Sequence, residues 1–393
     1  MLALGLGACG SSGSDGEPGP AAVEAGSGAA PGGWERLPDP PLAPRARVVS
    51  VWTGREAIFV GGDRFLCPPG DSCVAPDEPP FADGAAFDPG TRSWRPIAPS
   101  PVAFSDASTA VVGDDVYFLA MGVPGVPGNT PAFLRYAVGD DAWHELPFPG
   151  DDPGWYHLVG AGEVLVAHTG TDEQGERPDL VFDPRGDEGW TELPADPLSP
   201  AFDRRMVWSG EHLHLFDHAL VANPGSERPS LTRAARLDLV TGAWERLPDS
   251  AMLGTSPWFV EDGVLVNPDL GSADGGEVNG WGRSHPYGGS FDTGSASWSP
   301  LPAAPDTPEG VDAHSAGVIG STGGLAVDTH GWLLDLRTDT WIELPEVPDP
   351  PEHTRRNVVA AGTDLVAFGG ERWSDGGDPG GEVLGDAWIW RSG

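Results

Sequence analysis

Short apolar runs alternate along this chain with turns built from Gly and Asp. The runs come in pairs, as in RVVSVWTGREAIFVGG at 47–62. Paired β-branched and aromatic runs around such turns are typical of β-hairpins. No window of 11 residues shows the spacing of an amphipathic helix. The pattern therefore predicts an all-β protein, with seven hairpins at 47–62, 108–122, 156–170, 205–218, 257–268, 314–328 and 355–370.

A second signal lies between the hairpins, where a Trp is followed three residues later by Leu or Ile. Successive copies begin 43 to 60 residues apart, and each copy after the first closes a unit of one hairpin and one further strand. Four-stranded units of about 40–50 residues are typical of propeller blades. The seven pairs are Trp34/Leu37, Trp94/Ile97, Trp143/Leu146, Trp190/Leu193, Trp244/Leu247, Trp298/Leu301 and Trp341/Leu344.

The two ends of this pattern complement each other. The first copy, Trp34–Leu37, has no hairpin before it, and the last unit ends at Trp388–Trp390 with no such copy after it. A ring joins them if the N-terminal strand becomes the outer strand of the last blade, which also removes the open sheet edges. We therefore predict a seven-bladed β-propeller over residues 34–393, closed by the strand around residues 34–38.

The residues that carry the repeat resemble the kelch motif. Pro44-Arg45 precedes the first hairpin, Gly61-Gly62 follows it, and Phe87-Asp88-Pro89-Gly90-Thr91-Arg92-Ser93-Trp94 forms the later turn. Gly369-Gly370 repeats the double glycine in the last unit, whereas the third to fifth units lack it. The resemblance implies a kelch-type propeller, the scaffold of the galactose oxidase central domain, and it implies no single activity.

The charge balance narrows the range of partners. The chain has 59 acidic residues against 22 basic ones, every basic residue is Arg, and the net charge is −37. A field of this sign repels nucleic acid and anionic membrane surfaces and attracts cations. We therefore expect no nucleic-acid partner.

The N-terminal region has a composition of its own. An apolar run ends in Leu6-Gly7-Ala8-Cys9, which resembles the lipobox of bacterial lipoproteins, in which the Cys carries the lipid. The resemblance implies that residues 1–9 are the remnant of a signal peptide. Residues 10–33 are rich in Gly, Ser, Ala and Pro and predict a flexible tether. We therefore expect an extracytoplasmic lipoprotein, at the cell surface or in the periplasm, attached to a membrane through its lipid alone.

The other two cysteines, Cys67 and Cys73, enclose five residues of the long loop in the first unit. Such a loop can close, and an extracytoplasmic location permits oxidation. We predict a disulfide, and half of a metal site is the alternative.

Candidate ligand-binding residues lie at the predicted channel mouth and in loops. Arginines recur just before the innermost strands, where several guanidinium groups in one place could bind a carboxylate or phosphate. The alternative is that each Arg joins neighbouring blades through Asp and Glu. Two tryptophans outside the repeat register are predicted to lie in exposed loops. The candidates are Arg45, Arg47, Trp155, Arg204, Arg205, Trp258, His314, Arg355 and Arg356.

Two patterns make metals candidates. His212 and His214 share one face of a predicted strand, and His-x-His is a spacing that metals use, with ordinary strand histidines as the alternative. The acidic loops Gly271–Gly280 and Ser374–Gly381 make calcium a candidate cofactor, although Asp-Gly turns explain them equally.

No coherent catalytic set accompanies these features. The four tyrosines do not define a copper site of the galactose oxidase type, and neither a Gly-x-Ser-x-Gly elbow nor a Walker loop occurs. The sequence therefore favours a monomeric module that binds a protein or carbohydrate ligand. The alternative is an extracytoplasmic propeller enzyme, an oxidase or a glycan-acting hydrolase, with its site at the channel mouth.

Overall fold

The hairpins form because every second side chain along a strand points to the same side of the sheet. In the second hairpin strand of the first unit, Ile58 and Val60 pack toward the following unit, and Ala57 and Phe59 pack toward the last one. All four are fully buried. A strand that is apolar on both faces must lie between two neighbours, which is the situation of a propeller blade.

The computed structural model describes most of the chain and shows 29 strands in seven antiparallel sheets arranged in a ring. The seven-bladed β-propeller predicted from the sequence is thus confirmed. The described residues are 32–67, 73, 78–122, 131–149, 156–171, 177–186, 189–271, 278–303, 320–327, 331–345, 347, 354–373 and 381–391.

Each of the first three blades pairs its strands in chain order. Blade one contains β2 (Val49–Trp52), β3 (Ala57–Val60), β4 (Gly84–Asp88) and β5 (Ser93–Ile97). Blade two contains β6 (Ala107–Val112), β7 (Asp115–Ala120), β8 (Ala132–Ala137) and β9 (Ala142–Leu146). Blade three contains β10 (Tyr156–Ala161), β11 (Val164–Thr169), β12 (Leu180–Phe182) and β13 (Trp190–Glu192).

The next three blades repeat this order. Blade four contains β14 (Ala201–Trp208), β15 (Leu213–Ala219), β16 (Arg233–Asp238) and β17 (Ala243–Arg246). Blade five contains β18 (Phe259–Glu261), β19 (Val264–Asn267), β20 (Gly289–Asp292) and β21 (Ser297–Ser299), with a 3₁₀ helix at Val278–Arg283 before β20. Blade six contains β22 (Gly320–Thr322), β23 (Leu325–Val327), β24 (Trp332–Asp335) and β25 (Thr340–Glu343).

Blade seven closes the ring with the N-terminal strand, as predicted. It contains β26 (Thr354–Ala361), β27 (Asp364–Arg372), the short β28 (Glu382–Val383) beside β27, and β29 (Ala387–Arg391). Strand β1 (Trp34–Arg36) adds to β29 as the outermost strand, with Trp34 opposite Trp390.

The turn between the third and fourth strands depends on an Asp side chain. In blade one, Asp88 Oδ1 accepts the backbone N–H groups of Gly90 at 2.8 Å and of Thr91 at 3.2 Å. Arg92 then takes a left-handed conformation with φ 56°. Asp can close such a turn with its own side chain, which explains the Asp-Pro-Gly-Thr sequence. The same type of bond is formed by Asp183, Asp238, Asp292 and Asp335.

The apolar core is divided among the blade interfaces. Seven clusters of buried side chains are found, and each combines residues from two adjacent blades. One of them joins blades seven and one through Phe59 and Phe368, whose ring centroids are 5.7 Å apart. The ring is therefore held together by blade-to-blade packing.

The marker tryptophans contribute a polar link to the same interfaces. Trp143 Nε1 donates to the carbonyl of Ala98, the residue directly after Ile97 of the preceding marker, at 2.7 Å. The indole N–H of a marker Trp thus links its own blade to the preceding blade. Five other markers make the equivalent bond, namely Trp34, Trp190, Trp244, Trp298 and Trp341.

The strand order gives the two faces of the ring different loops. The turns within hairpins are short, such as residues 53–56 between β2 and β3, and lie on one face with the Asp turns. The connections from second to third strands lie on the other, as does the start of every innermost strand. They include residues 61–83 and 220–232. We call this second side the long-loop face.

Two further features are a disulfide in a long connection and the lack of a membrane-spanning helix among the described residues. Cys67 and Cys73 form the predicted disulfide within the 61–83 connection. Among the described residues, no helix has the length and apolar character needed to cross a membrane.

Candidate functional site

Three of the arginines that were predicted to bind a ligand form ion pairs inside the ring instead. The guanidinium group of Arg45 is fully buried and makes two bonds to the Asp83 carboxylate, at 2.8 and 3.0 Å. Arg356 binds Asp386 in the same two-bond geometry, at 3.0 and 2.9 Å. Paired N–H donors facing both carboxylate oxygens are the strongest form of such a bond. These side chains are therefore not free to bind a ligand.

The third, Arg204, lies between blades three and four. Its side chain is almost fully buried and joins two carboxylates, Asp179 at 2.7 Å and Asp196 at 3.0 Å. It also donates to the hydroxyl of Thr169 at 2.7 Å. Since Asp179 belongs to blade three and Arg204 to blade four, this arginine joins neighbouring blades, which was the alternative interpretation of the arginine pattern.

Arg205 is in a different environment. It follows Arg204 on β14, is half-buried at the long-loop end of the same interface, and forms no ion pair in the described part of the chain. Within the described structure, its Nη1 donates to the backbone oxygen of Arg204 at 3.0 Å. Burial lowers the pKa of its guanidinium group. A desolvated cation that forms no ion pair with a described residue favours binding of an anion.

His157 lies beside Arg205. A methyl group placed on Gly170 would lie 3.3 Å from His157 Nε2 and 3.4 Å from Arg205 Nη1, so the two nitrogens border the same small space. Burial, and then the charge of Arg205, lower the pKa of His157 to about 4. The imidazole is therefore neutral near pH 7 and can donate a hydrogen bond to an anion. We call Arg205, His157 and Gly170 the channel-mouth site.

Neighbouring side chains fix this site in place. The ring of His168 lies 5.4 Å from that of His157, and its Nε2 accepts the backbone N–H of Met206 at 3.3 Å. Asp203 is held by His218, whose Nδ1 lies 3.3 Å from Asp203 Oδ2. This hydrogen bond is the main reason why the pKa of Asp203 is lowered. Asp203 is thus hydrogen-bonded to a histidine, and although its charge acts on Arg205, it forms no ion pair with that guanidinium group in the described structure.

Arg47 lies elsewhere on the long-loop face, at the start of blade one. It has a left-handed backbone with φ 50°, binds the Asp63 carboxylate through Nε and Nη2, and donates to the Phe65 carbonyl at 2.6 Å. Its guanidinium carbon lies 5.1 Å from the centroid of the Phe65 ring. Arg47 therefore holds the beginning of the 61–83 connection in a defined shape.

The other residues that were predicted to bind a ligand are Trp258, Arg355, Trp155 and His314. Trp258 stacks on Phe216, with centroids 4.0 Å apart, and donates to the Thr255 carbonyl at 2.7 Å. It is half-buried at the interface of blades four and five, so the prediction of an exposed loop residue was wrong. Arg355 lies opposite Glu371 in the register of β26 and β27. Trp155 and His314 lie outside the described residues.

The two predicted metal ligands do not form a larger cluster in the described structure. His214 is fully buried between blades four and five, and burial lowers the pKa of His214 to about 4. The centroid of its ring lies 6.4 Å from that of His212. Among the described residues, no group of three His, Cys, Asp or Glu side chains is placed to hold a metal. The acidic loop segments proposed for calcium lie largely outside the described residues, as does Cys9.

Sequence reasoning found Arg205 but missed His157. The arginine belongs to a recurring pattern before the innermost strands, whereas His157 is a single residue at the start of β10. Its role depends on the approach of two blades, for which the sequence carries no local signal.

A scan of protein-family models finds no match to this chain, and neither does a comparison with curated protein sequences.

Proposed function

We propose that this chain is a binding module that captures a small anionic ligand, one bearing a carboxylate or phosphate, at the channel-mouth site. The observation that carries the proposal is the Arg205 guanidinium group, which forms no ion pair with a described residue, beside the neutral imidazole of His157. Arg205 supplies charge, and both side chains supply N–H donors. Although the whole protein is strongly acidic, screening over about 8 Å at physiological salt limits the repulsion from distant carboxylates.

The scaffold that we propose for this module is a kelch-type propeller on an extracytoplasmic lipoprotein. The double glycines and the Phe-Asp-Pro-Gly-Thr turn support the kelch assignment. The disulfide between Cys67 and Cys73 supports an oxidising compartment. Cys9 carries the lipid in this proposal, and residues 10–33 connect it to the propeller.

Isothermal titration calorimetry with sulfate and with succinate, at constant ionic strength, tests the binding function. We expect one anion to bind per chain and Arg205→Gln to weaken binding at least tenfold. The matched control is Arg55→Gln, because Arg55 is an exposed arginine in the turn on the opposite face. Binding that is lost equally in both variants, or in neither, would contradict the proposed site.

Membrane attachment needs a separate experiment. In bacteria that process lipoproteins, the unchanged protein should incorporate labelled palmitate and sediment with membranes. Cys9→Ser should abolish both properties without changing the melting temperature of the propeller. An unlabelled, fully released protein with Cys9 intact would overturn the lipoprotein assignment.

A further inference from the structure

A pocket of about 390 Å³ lies on the long-loop face of blade one, away from the channel-mouth site. Its size falls in the range of small-molecule sites, roughly 300–1,000 Å³. Its lining includes the ion pair of Arg47 and Asp63, and beside that pair Arg64, Phe65, Glu78, Phe81 and Ser105. We call it the blade-one pocket.

The walls of the blade-one pocket are held in shape by contacts with neighbouring residues and with one another. The backbone of Phe81 donates to the Gly62 carbonyl at 2.8 Å and accepts from the Phe104 N–H at 3.3 Å. The buried guanidinium group of Arg45 lies 4.0 Å from the centroid of the Phe81 ring. On the other side, Arg47 fixes Phe65. A pocket that is already formed loses less ordering entropy when a ligand enters.

Two opposite charges in this pocket have no partner in the described part of the chain. Arg64 is exposed, and its contact is with the Phe81 ring, whose centroid lies 5.3 Å from the guanidinium carbon. Glu78 is also exposed and forms no ion pair with Arg64 or any other described residue. Elsewhere in the ring most arginines are bound to carboxylates. A cation and an anion that border the same pocket without an ion pair to any described residue are therefore unusual here.

We infer that the blade-one pocket binds a zwitterion with an apolar body, namely a free aromatic or branched α-amino acid. Arg64 receives the carboxylate and Glu78 the ammonium group. The side chain packs against Phe65, Phe81 and the two prolines that line the pocket, Pro79 and Pro80. Because a zwitterion has no net charge, the strongly negative field of the protein does not oppose its approach.

Calorimetry on the full chain with three related compounds tests this inference. The probes are L-phenylalanine, N-acetyl-L-phenylalanine, which lacks the ammonium group, and L-phenylalanine amide, which lacks the carboxylate. We expect the free amino acid to bind at least tenfold more tightly than either derivative. Absence of binding, or equal affinity for all three compounds, would overturn the proposal.

Two variants then test which residue of the pocket binds the carboxylate and which binds the ammonium group. Arg64→Gln should remove the preference for the acid over the amide, and Glu78→Gln should remove the preference for the free amine over the acetyl compound. Arg228→Gln changes another exposed arginine without an ion pair in the described structure, and it should preserve both preferences. If Arg64→Gln and Glu78→Gln retain both preferences, the assignment is wrong.

The outcome is independent of the channel-mouth proposal. Arg205→Gln should leave phenylalanine binding unchanged, and Arg64→Gln should leave sulfate and succinate binding unchanged. Loss of phenylalanine binding in Arg205→Gln would place the amino acid at the channel mouth and overturn the blade-one pocket.

Discussion

Neighbouring arginines in this chain differ sharply in what they contact. Arg204 and Arg205 follow each other on β14, yet Arg204 binds two carboxylates and Arg205 binds none in the described structure. The backbone explains part of this difference, because the pairing of β14 with β15 is irregular between Phe202 and Arg205. Such irregularities redirect side chains and are common beside functional sites.

Anion binding at the channel mouth should depend on pH through His157. A bound anion favours the protonated imidazole, so the pKa of His157 should rise above its free value of about 4. The affinity for sulfate should therefore increase as the pH falls from 7.5 to 5, by about tenfold for each unit by which binding raises the pKa within this range. Calorimetry across this range checks the prediction, since sulfate itself does not titrate there. His157→Gln should flatten the profile, and an affinity that falls with decreasing pH would contradict it.

Asp217 should make a measurable contribution to the pH dependence of folding. It is fully buried, its Oδ2 has no hydrogen-bond partner in the described structure, and burial raises the pKa of Asp217 to about 6 although Arg233 donates to it at 2.8 Å. The folded protein thus holds this proton at a higher pH than the unfolded chain does. The stability that the protonated group contributes is present below about pH 4 and is lost as the pH rises to about 6.

Asp217→Asn should remove this dependence. The free energy of unfolding of the variant, relative to the unchanged protein, should improve by about 2 kcal/mol between pH 4 and pH 7. Urea unfolding at both pH values measures the change. Asp249→Asn is the control, because Asp249 is exposed and pairs with Arg246 at the surface. A difference for Asp217→Asn that stays constant with pH would contradict the prediction.

At the scale of elements, the Trp-x-x-Leu motif carries more structural information than its spacing alone reveals. The pattern predicted the blades and the closure of the ring. It did not predict that an indole N–H would donate to the carbonyl that follows the preceding copy. That bond depends on how adjacent sheets are placed, as does the stacking of Trp258 on Phe216. Local pattern thus predicts strands, whereas contacts between blades require the assembled ring.

A comparison of two markers tests the contribution of this indole bond. Trp143→Phe removes the donor to Ala98, whereas Trp94→Phe removes a buried indole N–H that has no partner in the described structure. We expect Trp143→Phe to cost about 1 kcal/mol more in the free energy of unfolding than Trp94→Phe does. Urea unfolding of both variants measures the difference. Equal losses would show that packing alone accounts for the tryptophans.

At the scale of the whole molecule, the ends of the chain determine whether the ring is closed. The unmatched Trp-x-x-Leu copy at one end and the unmatched strand at the other were sufficient to predict closure. The site was harder to predict, because Arg205 and His157 come from different blades and meet only when blades three and four pack together. The blade-one pocket likewise depends on the fold of a long connection with little periodic pattern.

Removal of residues 1–37 should expose the edge of β29. This change deletes β1, and with it the pairing of Trp34 with Trp390 and the bond from Trp34 to the Pro345 carbonyl at 2.6 Å. Because an open edge can pair with another chain, we expect a lower melting temperature and self-association. Light scattering after gel filtration checks this, with deletion of residues 1–30 as the control. A truncated protein that stays monomeric and equally stable would contradict closure by β1.

The most direct test of the binding account is to locate the anion. Crystals of the protein soaked in selenate, collected at the selenium edge, should show an anomalous peak within hydrogen-bond distance of Arg205 and His157. Crystals of Arg205→Gln treated in the same way should lack that peak. If selenate leaves this position empty in the unchanged protein, or occupies it equally in the variant, the channel mouth is not the binding site.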